Sequence, residues 1–333
     1  MKKLFLSAAF LAASLASQAQ QAPLWMRYPA ISPDGKTIVF SYKGDIYSVP
    51  ATGGEARQLT TNAAHDSYPI WSPDGKKIAF ASNREGSFDV YVMSAHGGAP
   101  TRITTNSERE IPVAFKDNDH VLFSANIMPT AESNLFASRE FSQVYEVSTQ
   151  GGRPKLYSVI PMEDISINAK GQVLYHDSKG YEDQWRKHHT SPITRDIWML
   201  DNGKYQKITA FKGEDRTPVW AADGESFYYL SEQAGSFNIY HRNIATGKDV
   251  QLTHEKKNPI RFLTSSADGL LCYGYDGEIY TVKEGAQPQK VNISITADND
   301  EPSLVRQVRS WGATEIALSP DAKEVAFVMH GDV

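Results

Sequence analysis

Apolar and turn-forming positions recur along the chain in a fixed order. Each copy has a turn of the Ser-Pro-Asp-Gly type followed by a short apolar run, as in ISPDGKTIVF from residue 31 and WSPDGKKIAF from residue 71. Further copies begin at residues 115, 167, 220, 265 and 318. Proline fixes φ at the second turn position and glycine tolerates a positive φ at the turn exit. Each copy therefore predicts a β-hairpin.

A second pattern follows each of the first six turns. A polar residue, then Ile or Val, then Tyr or Trp occurs from residues 45, 89, 143, 196, 238 and 278, as in DIYSV and DVYVM. Another turn and a short closing segment come next, for example GGEARQLT at 53–60. One unit is therefore predicted to contain four antiparallel strands, with the aromatic residue of the third strand in a packing role.

The second strand of each unit decides how these sheets pack. Segments such as TIVF, KIAF and SFYYL are apolar on both faces of the strand. Both faces of each sheet must therefore be covered, and we expect neighbouring sheets to cover them. We therefore expect an all-β fold, a six-bladed β-propeller of four-stranded antiparallel blades over residues 20–295. Residues 296–333 are interpreted as a linker and the first hairpin of a second, truncated propeller. The alternative is that this hairpin completes a seventh blade.

The N-terminus and the charge bear on location and partners. Two lysines, an apolar stretch and small residues occupy positions 1–19, an arrangement typical of a signal peptide. We expect a periplasmic or secreted protein, with a cytoplasmic one as the alternative. The net charge of −5 and the lack of long basic runs argue against nucleic-acid binding, and no apolar stretch is long enough to span a membrane.

The sequence offers little catalytic chemistry. It contains no Gly-x-Ser-x-Gly, His-Glu-x-x-His, Walker or Gly-x-Gly-x-x-Gly motif. The single cysteine, Cys272, lies in an apolar strand and is expected to be buried and inert. The DNDE segment at 298–301 lacks the glycine and distal glutamate of a calcium loop. We therefore expect no catalytic residue, no metal and no cofactor in this segment.

Departures from the repeat are the best candidates for functional positions, because loops carry specificity on a repeated scaffold. Two insertions, at 126–142 and 177–195, separate the second and third strands of the third and fourth units. The second insertion and the segments before several first strands place charged and aromatic side chains near a predicted channel mouth. These candidate channel-mouth or peptide contacts are Asp66, Arg109, Glu110, Asp215, Arg216, Lys257, Trp185, Arg186, His188 and His189.

The combination of SPDGK-x-IAF, D-x-Y and QLT resembles the propeller repeats of TolB, of prolyl oligopeptidases and, most closely, of tricorn-type serine peptidases. In that last family a six-bladed propeller precedes a seven-bladed one, and PDZ and catalytic domains follow. The resemblance implies a non-catalytic N-terminal propeller that gates or channels peptide substrates or products to a downstream serine peptidase domain. The family's catalytic residues lie beyond this segment, so none is carried over.

The same resemblance sets the expected partners and leaves two other functions open. The implied partners are peptides or unfolded polypeptide, the downstream propeller, PDZ and catalytic domains of the same chain, and further copies of the chain in a homo-oligomer. One alternative is a TolB-like platform for protein interactions. The other is the propeller of a prolyl-oligopeptidase-type hydrolase, which predicts a downstream α/β-hydrolase domain.

Overall fold

The computed structural model describes residues 23–127, 142–180, 183, 185–188, 191–296 and 311–329. The chain divides into two compact units, residues 1–296 and 297–333. The predicted signal peptide, most of the first insertion, His189 and the DNDE segment lie outside the described residues. The described part of the chain is built from strands, and none of its segments is a helix long and apolar enough to cross a membrane.

The first unit contains six four-stranded antiparallel sheets, which confirms the predicted six-bladed, all-β propeller. The strands of the first three blades are β1 (Arg27–Ile31), β2 (Thr37–Tyr42), β3 (Asp45–Pro50), β4 (Gly54–Glu55), β5 (Arg57–Gln58), β6 (Asp66–Trp71), β7 (Lys77–Ser82), β8 (Asp89–Ser94), β9 (Thr101–Arg102), β10 (Ile111–Phe115), β11 (His120–Ala125), β12 (Gln143–Ser148) and β13 (Lys155–Ser158).

The other three blades repeat this arrangement. Their strands are β14 (Met162–Ile167), β15 (Val173–Asp177), β16 (Ile197–Asp201), β17 (Lys204–Lys207), β18 (Asp215–Trp220), β19 (Ser226–Ser231), β20 (Asn238–Asn243), β21 (Asp249–Gln251), β22 (Arg261–Ser265), β23 (Leu271–Tyr275), β24 (Glu278–Val282), β25 (Gln289–Lys290) and β26 (Ile293–Ser294). Each blade follows chain order from its inner to its outer strand, and among the described residues of the first unit only β4 and β26 pair outside the blades.

The second strand of each blade is covered on both faces, as its apolar sequence predicts. In β7, Ile78, Ala79 and Phe80 are fully buried. Ile78 and Phe80 pack in one cluster with Val39 and Ile46 of blade 1, so this core lies between neighbouring sheets rather than within one sheet. Burial of these apolar side chains therefore depends on contact between a blade and its neighbours, and the hydrophobic effect stabilises the blades together.

The aromatic residues of the third strands have the predicted packing role. In five blades a ring of the second strand lies directly opposite a ring of the third strand, with centroids 5.7–5.9 Å apart. The pairs are Phe40–Tyr47, Phe80–Tyr91, Phe123–Tyr145, Tyr229–Tyr240 and Tyr273–Tyr280. Cross-strand aromatic pairs of this kind stabilise antiparallel sheets.

The recurring turn is held by side-chain hydrogen bonds. In blade 2 the Ser72 hydroxyl donates to Asp74 at 2.7 Å and accepts the Lys77 amide at 2.9 Å. The Gly75 amide donates to the Ser72 carbonyl at 2.9 Å, and Gly75 has a φ of +68°. A positive φ is accessible to glycine without strain, which explains the glycine of the motif.

The QLT motif holds the closing strand of a blade to its third strand. The Thr60 hydroxyl accepts the amide of Ile46 at 2.9 Å and donates to the Asp45 carboxylate at 3.0 Å. Thr104, Thr209 and Thr253 accept the equivalent amides in blades 2, 4 and 5. The amide and the hydroxyl are 14 residues apart in blades 1, 2 and 5 and 12 residues apart in blade 4, so the recurrence of the threonine after the D-x-Y segment has a structural cause.

The ring closes through a parallel pairing between β26 and β4. The Gly54 amide donates to the Asn292 carbonyl at 2.9 Å, and the Ala56 amide donates to the Ser294 carbonyl at 2.8 Å. A Cβ on Gly53 would lie 2.6 Å from the Asn292 carbonyl oxygen, so the closure requires glycine there. The segment after blade 6 thus returns to blade 1, and the alternative of a seven-bladed ring is wrong.

Residues 311–329, the described part of the second unit, contain one hairpin, formed by β27 (Ala313–Leu318) and β28 (Val325–Met329). Its turn repeats the motif, since the Ser319 hydroxyl donates to Asp321 at 2.6 Å. Ala322 occupies the glycine position with a φ of +56°. The assignment of this hairpin to a second propeller stays a prediction.

Candidate functional site

The innermost strands of the six blades, β1, β6, β10, β14, β18 and β22, surround a cavity of about 750 Å³ on the axis of the ring. Every blade contributes residues of its innermost strand to the wall. This volume lies within the range of sites that hold small molecules or peptide segments. The cavity is therefore the natural candidate for a functional site.

Each innermost strand carries a β-bulge where it faces the axis. In five blades one bulge residue that is not glycine has a left-handed backbone, with φ between 48° and 61°. We call these five residues the collar: Tyr28, Tyr68, Asp164, Thr217 and Phe262. Left-handed backbone costs energy for such residues, and bulges re-aim side chains beside functional sites.

Blades 6, 1 and 2 form an aromatic side of the cavity. The Tyr28 ring centroid lies 4.0 Å from that of Tyr68 and 4.8 Å from that of Phe262. Trp185, from the second insertion, extends this surface with its ring 5.9 Å from Phe262. The Tyr28 hydroxyl donates to the Tyr68 hydroxyl at 3.0 Å, and Arg109 donates to the same Tyr68 oxygen at 3.1 Å.

Blades 4 and 5 form a polar side. The Thr217 hydroxyl donates to Asp164 at 2.6 Å, and the Thr217 amide donates to His176 Nδ1 at 3.2 Å. This leaves His176 Nε2 as the donor to Glu163, at 3.1 Å. Burial alone would raise the pKa of Glu163, but His176 and the charge of Arg195 lower it to about 2. Glu163 is therefore a carboxylate at any physiological pH.

Behind the polar side lies a network of buried ions. Arg186 donates to Glu232 at 2.6 Å and to Glu214 at 2.9 Å, and the side chains of Arg186 and Glu214 are each 1 % exposed. Arg195 reaches Glu214 at 3.3 Å and Glu163 at 3.4 Å. Burial opposes ionisation of Glu214, but the surrounding arginines lower its pKa. The second insertion thus anchors itself in blade 5 through Arg186.

Comparison with known proteins agrees with this architecture. The family model for the tricorn protease N-terminal β-propeller domain matches residues 23–288. The chain belongs to this family. A comparison with curated proteins found no match.

Solved structures of similar fold include tricorn protease, TolB from Acinetobacter baumannii and a puromycin hydrolase mutant complexed with PGG. The tricorn protease structure is 21% identical with a TM-score of 0.69, and the match covers 92% of this chain and 29% of that one. The TolB match has 16% identity, a TM-score of 0.56, and coverage of 84% and 65%. The hydrolase match has 12% identity, a TM-score of 0.53, and coverage of 82% and 47%. The present tricorn-type propeller therefore spans about three-tenths of the tricorn protease chain.

The structure brings three of the ten predicted contact residues to the cavity of this tricorn-type propeller: Arg109, Arg216 and Trp185. Arg216 is mostly buried, with its guanidinium 4.1 Å from the ring centroid of Phe237. Lys257 and His188 are exposed and do not line the cavity. His189 lies outside the described residues.

The other four predicted residues are buried and are not part of the cavity wall. Asp66, Glu110, Asp215 and Arg186 are each at most 3 % exposed and do not line the cavity. Asp66 pairs with Arg84 at 2.8 Å, and Arg186 belongs to the buried ion network. The amides of Asp66, Glu110 and Asp215 donate to carbonyls of the preceding blade. These residues come at the start of an innermost strand, where a blade is packed against its predecessor.

Sequence reasoning missed most of the cavity wall. The collar residues and the group formed by Glu163, His176, Arg195 and Arg261 were not among the candidates. One signal was present, because Tyr28, Tyr68 and Thr217 each precede a proline in an innermost strand. A bulge with a left-handed residue is not readable from that pattern without the sheet register.

Two findings concern possible metal ligands and the single thiol. Among the described residues, no group of three or more His, Cys, Asp or Glu side chains is placed to hold a metal ion. Cys272 is fully buried, and burial raises the pKa of its thiol. A thiol of this kind is a packing residue rather than a nucleophile.

Proposed function

We propose that this chain is the non-catalytic N-terminal propeller of a longer, exported tricorn-like serine peptidase, and that its cavity passes peptides to or from the catalytic domain. The observation that carries the proposal is the axial cavity, which all six innermost strands frame. Its family membership and its fold agree with such a role. The second hairpin would then begin the following propeller.

The cavity wall suits an extended peptide. The aromatic side offers rings for apolar side chains, while Glu163, Asp164 and the arginines offer acceptors and donors for polar ones. The collar narrows the cavity, because side chains of neighbouring blades are in contact there: Tyr28 with Tyr68, and Asp164 with Thr217. Such a constriction would favour unfolded chains over folded proteins.

Selective blockage of the collar tests this proposal. Thr217→Cys places a thiol on the cavity wall, and the native Cys272 is buried, so a bulky maleimide reacts with the new thiol. In the protein that carries its downstream domains, we expect labelling to abolish most hydrolysis of fluorogenic peptides. Labelled Lys283→Cys, on the outer surface, is the matched control and should keep its activity.

Two results would contradict the proposal. One is unchanged peptide hydrolysis after complete labelling of Thr217→Cys. The other is peptide hydrolysis by the 333-residue chain alone that serine-directed inhibitors stop, because the proposal assigns catalysis to a domain outside this chain. A protein with downstream domains but no peptidase activity would favour the interaction platform instead.

A further inference from the structure

Three hydrogen-bond donors converge on the aromatic side of the cavity. They are the hydroxyls of Tyr28 and Tyr68 and the guanidinium of Arg109, and all three residues line the wall. The two phenols carry two protons between them, and only one is used in their mutual hydrogen bond at 3.0 Å. Arg109 donates to the Tyr68 oxygen, and a guanidinium cannot accept a hydrogen bond. The second phenolic proton is therefore left to bond a further acceptor.

Arg109 is held in place by rings rather than by an acid. Its guanidinium lies 5.7 Å from the ring centroid of Tyr68 and 5.4 Å from that of Phe88. Within the residues that the structure describes, it makes one hydrogen bond, to Tyr68, and no ion pair with a carboxylate. Arginine has five N–H donors, so most of its donor capacity faces solvent or the cavity.

The acids that line the cavity are on the opposite side and already engaged. Glu163 accepts from His176 and pairs with Arg195, and Asp164 accepts from Thr217. A second arginine, Arg27, does not line the cavity, but its guanidinium lies 4.9 Å from the ring centroid of Trp185, which does. The aromatic side therefore presents positive charge and donors to any ligand that enters.

The conformation of the two tyrosines supports a binding role. Tyr28 and Tyr68 have φ values of 52° and 55°, a left-handed backbone that is unfavourable for tyrosine. Their bulges turn both phenols toward the axis. Burial raises the pKa of Tyr28, with the neighbouring Tyr68 as a further cause, so Tyr28 keeps its proton for hydrogen bonding.

We propose that Tyr28, Tyr68 and Arg109 form a site for a carboxylate group of a peptide in the axial cavity. One carboxylate oxygen accepts the unused phenolic proton, and the other accepts from Arg109 in a charge-assisted hydrogen bond. This inference rests on the proposed passage of peptides. The carboxylate can be the C-terminus of a peptide or an acidic side chain, because the donors recognise what both have in common.

Binding of three matched peptides to the 333-residue chain tests the site. The probes are a fluorescently labelled apolar peptide with an amidated C-terminus, the same peptide with a free C-terminus, and the amidated peptide with one added glutamate. By fluorescence anisotropy we expect at least one carboxylate peptide to bind about ten-fold or more tightly than the neutral one. The carboxylate peptide that binds better identifies the source of the group.

Variants assign the effect to these donors. Arg109→Met should remove the carboxylate preference, and Tyr28→Phe or Tyr68→Phe should reduce it several-fold while the ring packing is kept. Arg153→Met, an exposed arginine that does not line the cavity, is the matched control and should leave the preference unchanged. Circular dichroism and thermal unfolding establish that each variant is folded.

The outcomes separate this inference from the proposed function. Equal binding of neutral and carboxylate peptides would overturn the carboxylate site while leaving peptide passage intact. A carboxylate preference that persists in Arg109→Met would also overturn the site. If no peptide binds but N-acetylglycine binds in an Arg109-dependent manner, the carboxylate site stands and peptide passage fails; binding by none of these probes rejects both.

Discussion

The two sides of the cavity use the same bulged strand for different purposes. On the side of blades 4 and 5, Asp164 and Thr217 bond each other, and a network of buried ions stands behind them. On the side of blades 6, 1 and 2, the collar residues are aromatic, and Arg27 and Arg109 rest on rings. Charges are thus neutralised within the protein on the polar side and left available on the aromatic side.

This difference shows how a repeated scaffold acquires a site. The bulge supplies a side chain aimed at the axis in each blade, and the identity of that side chain then decides its role. On the polar side, the buried acids pair with arginines, and the pairs of Arg186 with Glu214 and Glu232 hold the second insertion in position. Where Arg27 and Arg109 rest on aromatic rings, the proposed role of the side is to bind an anionic ligand. Variants on the two sides should therefore differ in kind as well as in size.

The largest expected effect is on the polar side. Arg186→Ala leaves Glu214 and Glu232 without their shared arginine in a site where Arg186 and Glu214 are almost fully buried. Breaking a buried ion pair by removing one partner costs about 3–5 kcal/mol. We expect a loss of that order in the free energy of unfolding, measured by urea denaturation at pH 7.

The matched control is an ion pair on the surface. Lys283→Ala removes the ion pair between Lys283 and Asp268, in which both side chains are half or more exposed. The substitution should lower the free energy of unfolding by no more than about 1 kcal/mol. If Arg186→Ala were as mild as Lys283→Ala, the buried network would not stabilise the polar side as the comparison requires.

A medium effect concerns an uncompensated acid beside the polar side. Burial, with the charges of Asp196 and Asp249, raises the pKa of Asp215 to about 6. An acid whose pKa is raised in the folded state stabilises that state below its unfolded pKa of about 4, and this stability is lost as the pH rises to about 6. Asp215→Asn removes this titration.

The measurement is a double difference between two pH values. From pH 4.5 to pH 7.5, the stability of Asp215→Asn relative to the parent should rise by about 2 kcal/mol, because about 1.5 pH units separate pH 4.5 from the pKa of about 6 and each unit corresponds to about 1.4 kcal/mol. Asp268→Asn is the control, because hydrogen bonds from Lys283 and Ser266 lower the pKa of Asp268 to about 2. The stability of Asp268→Asn relative to the parent should be nearly the same at both pH values. If the relative stability of Asp215→Asn were equally independent of pH, Asp215 would not be a buried acid with a raised pKa.

The fold could be predicted from the sequence because the repeat contains two signals: a turn motif that predicts each hairpin, and an apolar run that predicts a strand buried on both faces. Ile78-Ala79-Phe80 in blade 2 and Val325-Ala326-Phe327 in the second unit follow the same kind of turn. The first three residues are fully buried, and Ile78 and Phe80 pack against Val39 and Ile46 of blade 1. An apolar pattern of this kind therefore predicts which strands are covered on both faces by neighbouring sheets.

The cavity was only partly predictable because it depends on register and on contacts between distant segments. Arg109, Arg216 and Trp185 were found as charged or aromatic departures from the repeat. Arg186 was placed in the same group, although it pairs with Glu232, 46 residues away. A single sequence shows that a charge is present but not which partner neutralises it. The collar was missed because a bulge shifts strand register, which the apolar alternation does not record.

The smallest expected effect tests whether both sides share the left-handed bulge. At Tyr68 and at Asp164 we expect the glycine variant to be more stable than the alanine variant by about 1 kcal/mol, because alanine is strained at positive φ and glycine is not. At Ile70, in the same strand as Tyr68 and outside the positive-φ set, the order should reverse, with glycine less stable than alanine by about 0.5–1 kcal/mol. Each comparison removes the same side chain in both variants, so lost packing and hydrogen bonds cancel. Thermal unfolding of the six variants measures the sign directly, and glycine below alanine at either collar position would mean that the bulge is not shared.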